Sequence, residues 1–177
     1  MQSCADWITD NFEDAVNPDT DDLNRAGEKP PDSVYTRMKG VNSLIIHHSA
    51  TTTGCSRVFR ALHRAINGWV DIGYHFVIGN GTLSEDGEVE EGRPPWAVGA
   101  HARKHNRDTI GICLVGDFSD TFPTEEQMKS LGMLLKRLLS EYDLSSSSII
   151  LHRDLSGCKT ECPGKNLTRE MIINSIS

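Results

Sequence analysis

The chain contains no apolar run approaching the roughly 20 residues that a membrane-spanning helix needs. Its first segment, MQSCADWITDNFEDAVNPDTDD, has neither a basic leader nor the apolar centre of a secretion signal. Such a beginning is expected of a protein made in the cytoplasm, or of a mature secreted form whose signal has been removed. A basic surplus is also missing. Eighteen Lys and Arg stand against 25 Asp and Glu, and the net charge of −7 excludes a nucleic-acid module, which needs clustered cations. The five cysteines, at positions 4, 55, 113, 158 and 162, are odd in number and hold no CxxC pair, a poor basis for a disulfide framework. A bridge from Cys158 to Cys55 or Cys4 is one alternative reading. Cys113, inside TIGICLVGDF, reads as a buried free thiol. Internal repeats and low-complexity tracts are absent as well.

What is present suits one globular domain: 177 residues, 37% hydrophobic and 24% charged. Residues 1–38 read as an N-terminal arm, with a short amphipathic piece at ADWITDNF and then an Asp-, Asn-, Pro- and Gly-rich stretch. Residues 39–177 read as the domain. VNSLIIHHSAT is short, apolar and β-branched, as a buried strand is. SRVFRALHRAIN places Val58, Phe59, Leu62, Ala65 and Ile66 on one helical face and Arg57, Arg60 and Arg64 on the other. Ser56 is the expected N-cap and Gly68 the stop. GYHFVIGNG predicts a second strand ending in an Asn80-Gly81 turn, and EDGEVEEGR a further turn and strand. TIGICLVGDF alternates Ile110, Ile112 and Leu114 with smaller residues, as a central strand does. PTEEQMKSLGMLLKRLLSEY is a helix opened by a Thr124–Gln127 capping box, with Met128, Leu131, Leu135 and Leu138 on one face. SIILH is a last strand and LTREMIINSI a closing helix. Interleaved strands and helices predict an α/β fold: one layered domain with a central mixed sheet flanked by helices.

Two predicted strands end in histidine, at His47-His48 and at His152, where a rigid backbone can present a ligand at the sheet rim. Cys162 follows His152 by ten residues, far enough for a loop to turn back. Two imidazoles and a thiolate would leave the fourth tetrahedral position of Zn²⁺ open to water, whose proton zinc makes easier to lose. Spacing alone does not separate this from plainer roles, a surface histidine and a buried cysteine.

Four motifs in order, IIHHSAT, GWVDIGYHFVIGNG, GAHARKHNRDTIGICLVGDF and HRDLSGCKTECPG, resemble the zinc-dependent N-acetylmuramoyl-L-alanine amidases. That superfamily includes phage endolysins and peptidoglycan-recognition proteins. The resemblance runs from about Ser43 to Asn166 and implies one zinc ion per chain, held by His47, His152 and Cys162. His48 neighbours His47 on a strand and so points to the opposite face. By the same carry-over Tyr74 and Thr160 fall on catalytic positions, while His101 and Asn106 fall on positions that contact muropeptide, as Tyr74 does too. Thr160 stands where some phage members carry a lysine, which makes the chain look more like the animal-type amidases in that respect. The segment between His152 and Cys162 is slightly longer than in the shortest members. The short disulfide of animal members is reduced to Cys55, which favours a bacterial or phage source.

The implied partner is peptidoglycan, cut by a monomer at the amide between N-acetylmuramic acid and L-alanine. The alternatives are a receptor that binds peptidoglycan without cutting, and a structural metal site closed by Cys158. No carboxylate stands out as a general base; Glu161 is the nearest candidate in sequence and reads mainly as an exposed acid. Trp96 suits either stacking on a sugar or plugging its loop. His63 and His105 are expected at the surface, and His75 in packing opposite Tyr74.

Overall fold

The computed structural model describes residues 25–177; the amphipathic segment expected at ADWITDNF, and Cys4, lie outside the described residues. Five strands form one mixed sheet in the order β3-β2-β4-β1-β5. They are β1 (Ser43–His48), β2 (Phe76–Ile78), β3 (Val89–Glu91), β4 (Thr109–Leu114) and β5 (Ile149–Leu151). β1 lies between β4 and β5 and runs parallel to both, β2 is parallel to β4, and only β3 is antiparallel. The predicted α/β architecture is the one observed.

Strand alternation divides the sheet's two faces. Leu44, Ile46, Ile110, Ile112 and Leu114 pack against α2 (Glu125–Glu141) and α3 (Arg169–Ser175), which contribute Leu131, Leu135, Leu138 and Ile172. The capping box at Thr124 and Gln127 opens α2 as expected. Val77 and Val115 instead meet Val58, Phe59 and Ala61 of α1 (Ser56–Asn67). His47 and Cys113, one residue out of phase with the α2-facing positions, share a register on this second side.

The helix α1 departs from expectation at three places. Cys55, rather than Ser56, is the N-cap, and no side chain of its own caps the helix. Glu90 of β3 does that work from outside, its carboxylate accepting from Ser56 N at 3.0 Å and Ser56 Oγ at 2.8 Å. Ala65 and Ile66 are exposed, because the apolar contact with the sheet is confined to the helix's first half. Arg60 is buried, not on a solvated face. Its Nε donates to Asp71 Oδ1 at 2.5 Å, and Tyr35 Oη donates to Asp71 Oδ2, also at 2.5 Å. Gly27 O also accepts from Arg60, while Arg25, Ala26 and Glu28 carbonyls accept from Arg64. The chain just before the domain thus covers the face that periodicity assigned to water. Gly68, at φ 65°, ends the helix as expected.

Cys55 is disulfide-bonded, whereas Cys113, Cys158 and Cys162 carry free thiols. The alternative of a Cys158 bridge is therefore corrected: Cys158 packs beside Ile45, Ala102 and Leu155. Trp96 plugs its loop, edge-on to Tyr35 and beneath Arg37.

Two histidines are fixed as neutral packing groups. His75 Nδ1 accepts from Gly111 N at 2.9 Å, so its Nε2 carries the proton donated to Ala97 O. His63, expected at the surface, is largely enclosed because Trp69 and Tyr74 lie against it, and its Nδ1 accepts from Gly73 N. Burial lowers both to about 4. Below an unfolded value near 6.5 the unfolded chain binds protons that the folded one refuses, so stability holds above that pH and falls toward 4. Urea unfolding at pH 7.5 and pH 5 should differ by on the order of 2 kcal/mol per histidine. An unchanged midpoint would contradict this assignment.

Candidate metal centre and active site

The site forms where the parallel strands end, the usual place for ligands in sheets of this kind. His47 is the penultimate residue of β1, and His152, expected as the last residue of its strand, instead opens a 3₁₀ turn directly after β5. β1 and β5 are adjacent, so the two rings come together, with centroids 4.4 Å apart.

Cys162 reaches the same place because Arg153 folds its loop back. Arg153 N donates to Cys162 O at 2.8 Å, and the guanidinium donates to Gly164 O and Leu167 O. Thr160 Oγ1 accepts from Cys162 N at 3.1 Å and fixes the turn before the sulfur. One donor atom from each of His47, His152 and Cys162 lies within 4.8 Å of the others.

The spacing fits a metal. Cys162 Sγ is 3.7 Å from His47 Nδ1. Ligands at the usual Zn–N and Zn–S lengths around a tetrahedral ion stand about 3.5 Å apart. Cys158 is not in the cluster, nor is any carboxylate among the described residues, so the set offers three ligands and an open fourth position. His48 points away as expected, its Nδ1 accepting from Phe118 N at 3.1 Å.

A chain of hydrogen bonds determines which nitrogen of His47 is available. The Thr109 hydroxyl donates to His105 O, leaving Thr109 O and Oγ1 as acceptors 3.4 Å from His101 Nε2. His101 therefore carries its proton on Nε2, and its Nδ1 accepts from His47 Nε2 at 3.0 Å. That leaves His47 Nδ1 bare, facing the sulfur. His101 fits behind His47 because two positions lack side chains. A Cβ at Gly111 would come within 2.4 Å of His101 Cγ, and one at Gly99 within 2.6 Å of His101 Cδ2. Sequence reasoning placed His101 on a substrate-contact position; its ring lines the cleft while also backing His47. An isolated glycine in a central strand signals such a close approach, and Gly111 carried that signal.

Electrostatics follow burial. Desolvation holds His47, His101 and His152 below the usual imidazole value, with neighbouring histidines adding to the effect. Burial pushes the Cys162 thiol up to about 11, against smaller lowering contributions from His48 O and Arg153. Without a cation the cluster is thus neutral.

Tyr74 lies 5.3 Å from His47 between ring centroids. Burial, with Cys113 and Cys162 nearby, drives its pKa well above the usual value, so its hydroxyl keeps its proton. Cys113, read from sequence only as buried, lies near Tyr74, and its register with His47 puts it on the same side of the sheet. Asn106 Oδ1 accepts from His101 N and Ala102 N, shaping the loop. Glu161 is exposed.

Comparison with known proteins places the chain within one family. Residues 37–165 match the family model described as N-acetylmuramoyl-L-alanine amidase. The endolysin of Escherichia phage T7 is 34% identical over 143 residues, 76% of this chain and 88% of that protein. Peptidoglycan-recognition protein SC2 of Drosophila melanogaster is 35% identical over 136 residues, 72% of this chain and 70% of that protein. Among solved structures, the endolysin amidase LysCS from Clostridium intestinale superposes with a TM-score of 0.69 at 32% identity, covering 80% of this chain and 91% of that one. Drosophila PGRP-LB gives the same TM-score at 30% identity, over 82% and 87% of the two chains. With a His-His-Cys cluster where β1 and β5 end and the match spanning most of its length, this chain belongs to the N-acetylmuramoyl-L-alanine amidase family.

Proposed function

We propose that the chain hydrolyses the amide between N-acetylmuramic acid and L-alanine in peptidoglycan, with one zinc ion held by His47, His152 and Cys162. The observation that carries this reading is the convergence of three donor atoms within 4.8 Å, with no fourth protein ligand among the described residues. When bound, zinc supplies Lewis acidity toward the carbonyl and a nucleophile at neutral pH.

The chain's own residues orient and donate. His101 accepts the Nε2 proton of His47 and thereby keeps Nδ1 directed at the ligand position. Tyr74, protonated throughout the physiological range, is the hydrogen-bond donor for oxygen charge developing on the amide; one such donor contributes roughly 3 kcal/mol. Thr160 holds the ligand loop through Cys162 N and orients substrate with its own O–H. His101 and Asn106 shape the cleft wall that receives the muropeptide. Cys162 distinguishes this reading from a receptor that binds peptidoglycan without cutting.

Mass spectrometry of muropeptide digests should find L-Ala-headed peptides released by the zinc-loaded protein and not after chelation. Zinc-loaded protein that binds muropeptides and releases nothing would leave the receptor instead. Cys162→Ser should lose zinc and turnover yet keep its fold by circular dichroism; full activity at equal zinc would remove Cys162 from the site. Tyr74→Phe should keep zinc and lower kcat by roughly one to three orders of magnitude, and an unchanged kcat would end its assigned role. His101→Ala should weaken zinc binding about 10- to 100-fold in chelator competition. His101→Gln, which restores an acceptor, should recover part of that loss; equal affinity in all three proteins would dismiss the His101 support.

A further inference from the structure

Tyr74 lies between α1 and β2, in a segment that belongs to no helix or strand. No regular ladder fixes its backbone, so other groups must take up the peptide N–H and C=O bonds. Buried side chains carry much of that role. Arg93 Nε donates to Ile72 O at 2.9 Å, its Nη2 to Asp71 O at 3.5 Å and its Nη1 to Val98 O at 2.9 Å. Arg93 N donates to Tyr74 O at 2.9 Å. Asp71 Oδ1 accepts from Ile72 N at 2.7 Å and from Arg60 Nε, while its Oδ2 accepts from Tyr35. Arg60 also donates to Gly92 O at 3.3 Å, beside Arg93. Little slack remains there, since a Cβ at Gly92 would come within 2.6 Å of Tyr74 O.

Asp71 is wholly enclosed, and Arg60 and Arg93 are buried with it. None of the three takes part in the chemistry proposed above. A buried carboxylate among guanidiniums is a poor source of stability, because desolvation offsets the attraction and apolar packing often serves as well. What the charged set supplies is direction: charge-assisted bonds that admit one arrangement of the backbone at Asp71, Ile72 and Tyr74.

We propose that Asp71 and Arg93 are positioning residues for Tyr74, holding its phenol where oxygen charge develops on the amide. The inference rests on the amidase reading above. Both act only through the backbone that carries the ring. A displacement of about 1 Å at a reacting group can cost on the order of 100-fold in rate. The effect therefore falls on kcat, while zinc affinity is kept because His47, His152 and Cys162 lie on other segments.

The test is a kinetic double-mutant cycle on the full zinc-loaded chain with a soluble muropeptide. Arg93→Lys keeps the buried charge and loses the fork that reaches Ile72 O and Asp71 O. It should lower kcat roughly ten- to 100-fold with KM and zinc affinity unchanged. Added to Tyr74→Phe, it should lower kcat almost no further. A merely structural role predicts the same loss in both backgrounds, and that result overturns the proposal, as does an unchanged kcat in Arg93→Lys. Asp71→Asn should follow the same pattern. Should it fail to fold, Tyr35→Phe, which removes one bond to Asp71, takes its place in the cycle with a loss of roughly two- to tenfold; no loss, or equal loss in both backgrounds, again refutes the idea. A second readout needs no turnover. In protein carrying ring-¹³C tyrosine, the Tyr74 signal, identified by its disappearance in Tyr74→Phe, should move in Arg93→Lys, while that of Tyr142 at the far end of α2 stays put. Wild-type protein that releases no peptide refutes the amidase reading, and this signal then decides the positioning alone: unmoved, it dismisses Arg93.

Discussion

The site depends on one hydrogen bond, from His47 Nε2 to His101 Nδ1. An imidazole with a free choice of tautomer presents either nitrogen, and only one of them faces the sulfur of Cys162. The choice is made behind the ring, where Thr109 can only accept from His101 and so passes a fixed proton position forward. The sheet supplies what keeps this arrangement rigid. β1 is held on both sides by parallel neighbours, and His101 occupies space that Gly99 and Gly111 leave open. Strand pairing, two missing side chains and one proton thus act together on a single lone pair.

The same face of the sheet explains why the groups around the site are held away from their solution behaviour. Burial is the first cause for His47, His101, Tyr74 and Cys162 alike, and in every case it favours the neutral form. A neutral, enclosed set of donors gains from receiving a cation, because that charge then has lone pairs directed at it and little water to displace. The cations lining the cleft wall, Arg103, Lys104 and Lys159, remain in solvent where their desolvation cost is small. Charge is therefore sorted by depth, neutral ligands inside and positive groups at the rim.

Much of this was legible in the sequence because local rules agreed with tertiary ones. β1 and β4 announce themselves by β-branched apolar runs, and α2 by its capping box and leucine face. Period-two alternation alone separates His47 from His48. Other features depended on partners distant in sequence. Arg60 lies on the arginine stripe of α1, and only Asp71, Tyr35 and the carbonyl of Gly27 make its burial tolerable. Ser56 has the residue type of an N-cap, yet Glu90 of another strand satisfies the helix end. His63 looked solvated until Trp69 and Tyr74 closed over it. The nearness of Cys113 to Tyr74 is a matter of cross-strand register, which no local pattern encodes.

The loop that carries Cys162 bears on the role of the proposed zinc. Where an ion holds a fold together, its ligands lie on segments with little other reason to be ordered, and binding energy becomes folding energy. Here Arg153 joins the turn after β5 to the backbone at Cys162, Gly164 and Leu167. Thr160 braces the turn before the sulfur, and His105 ties the outer part of the loop to the neighbouring wall. These contacts are all protein to protein and would persist with the ligand position empty. The thiol, pushed up to about 11, has to surrender its proton on coordination, so acid competes with the metal for the sulfur. A loop braced in this way, beside a cluster of only three candidate ligands among the described residues, supports the proposed catalytic zinc over a structural one.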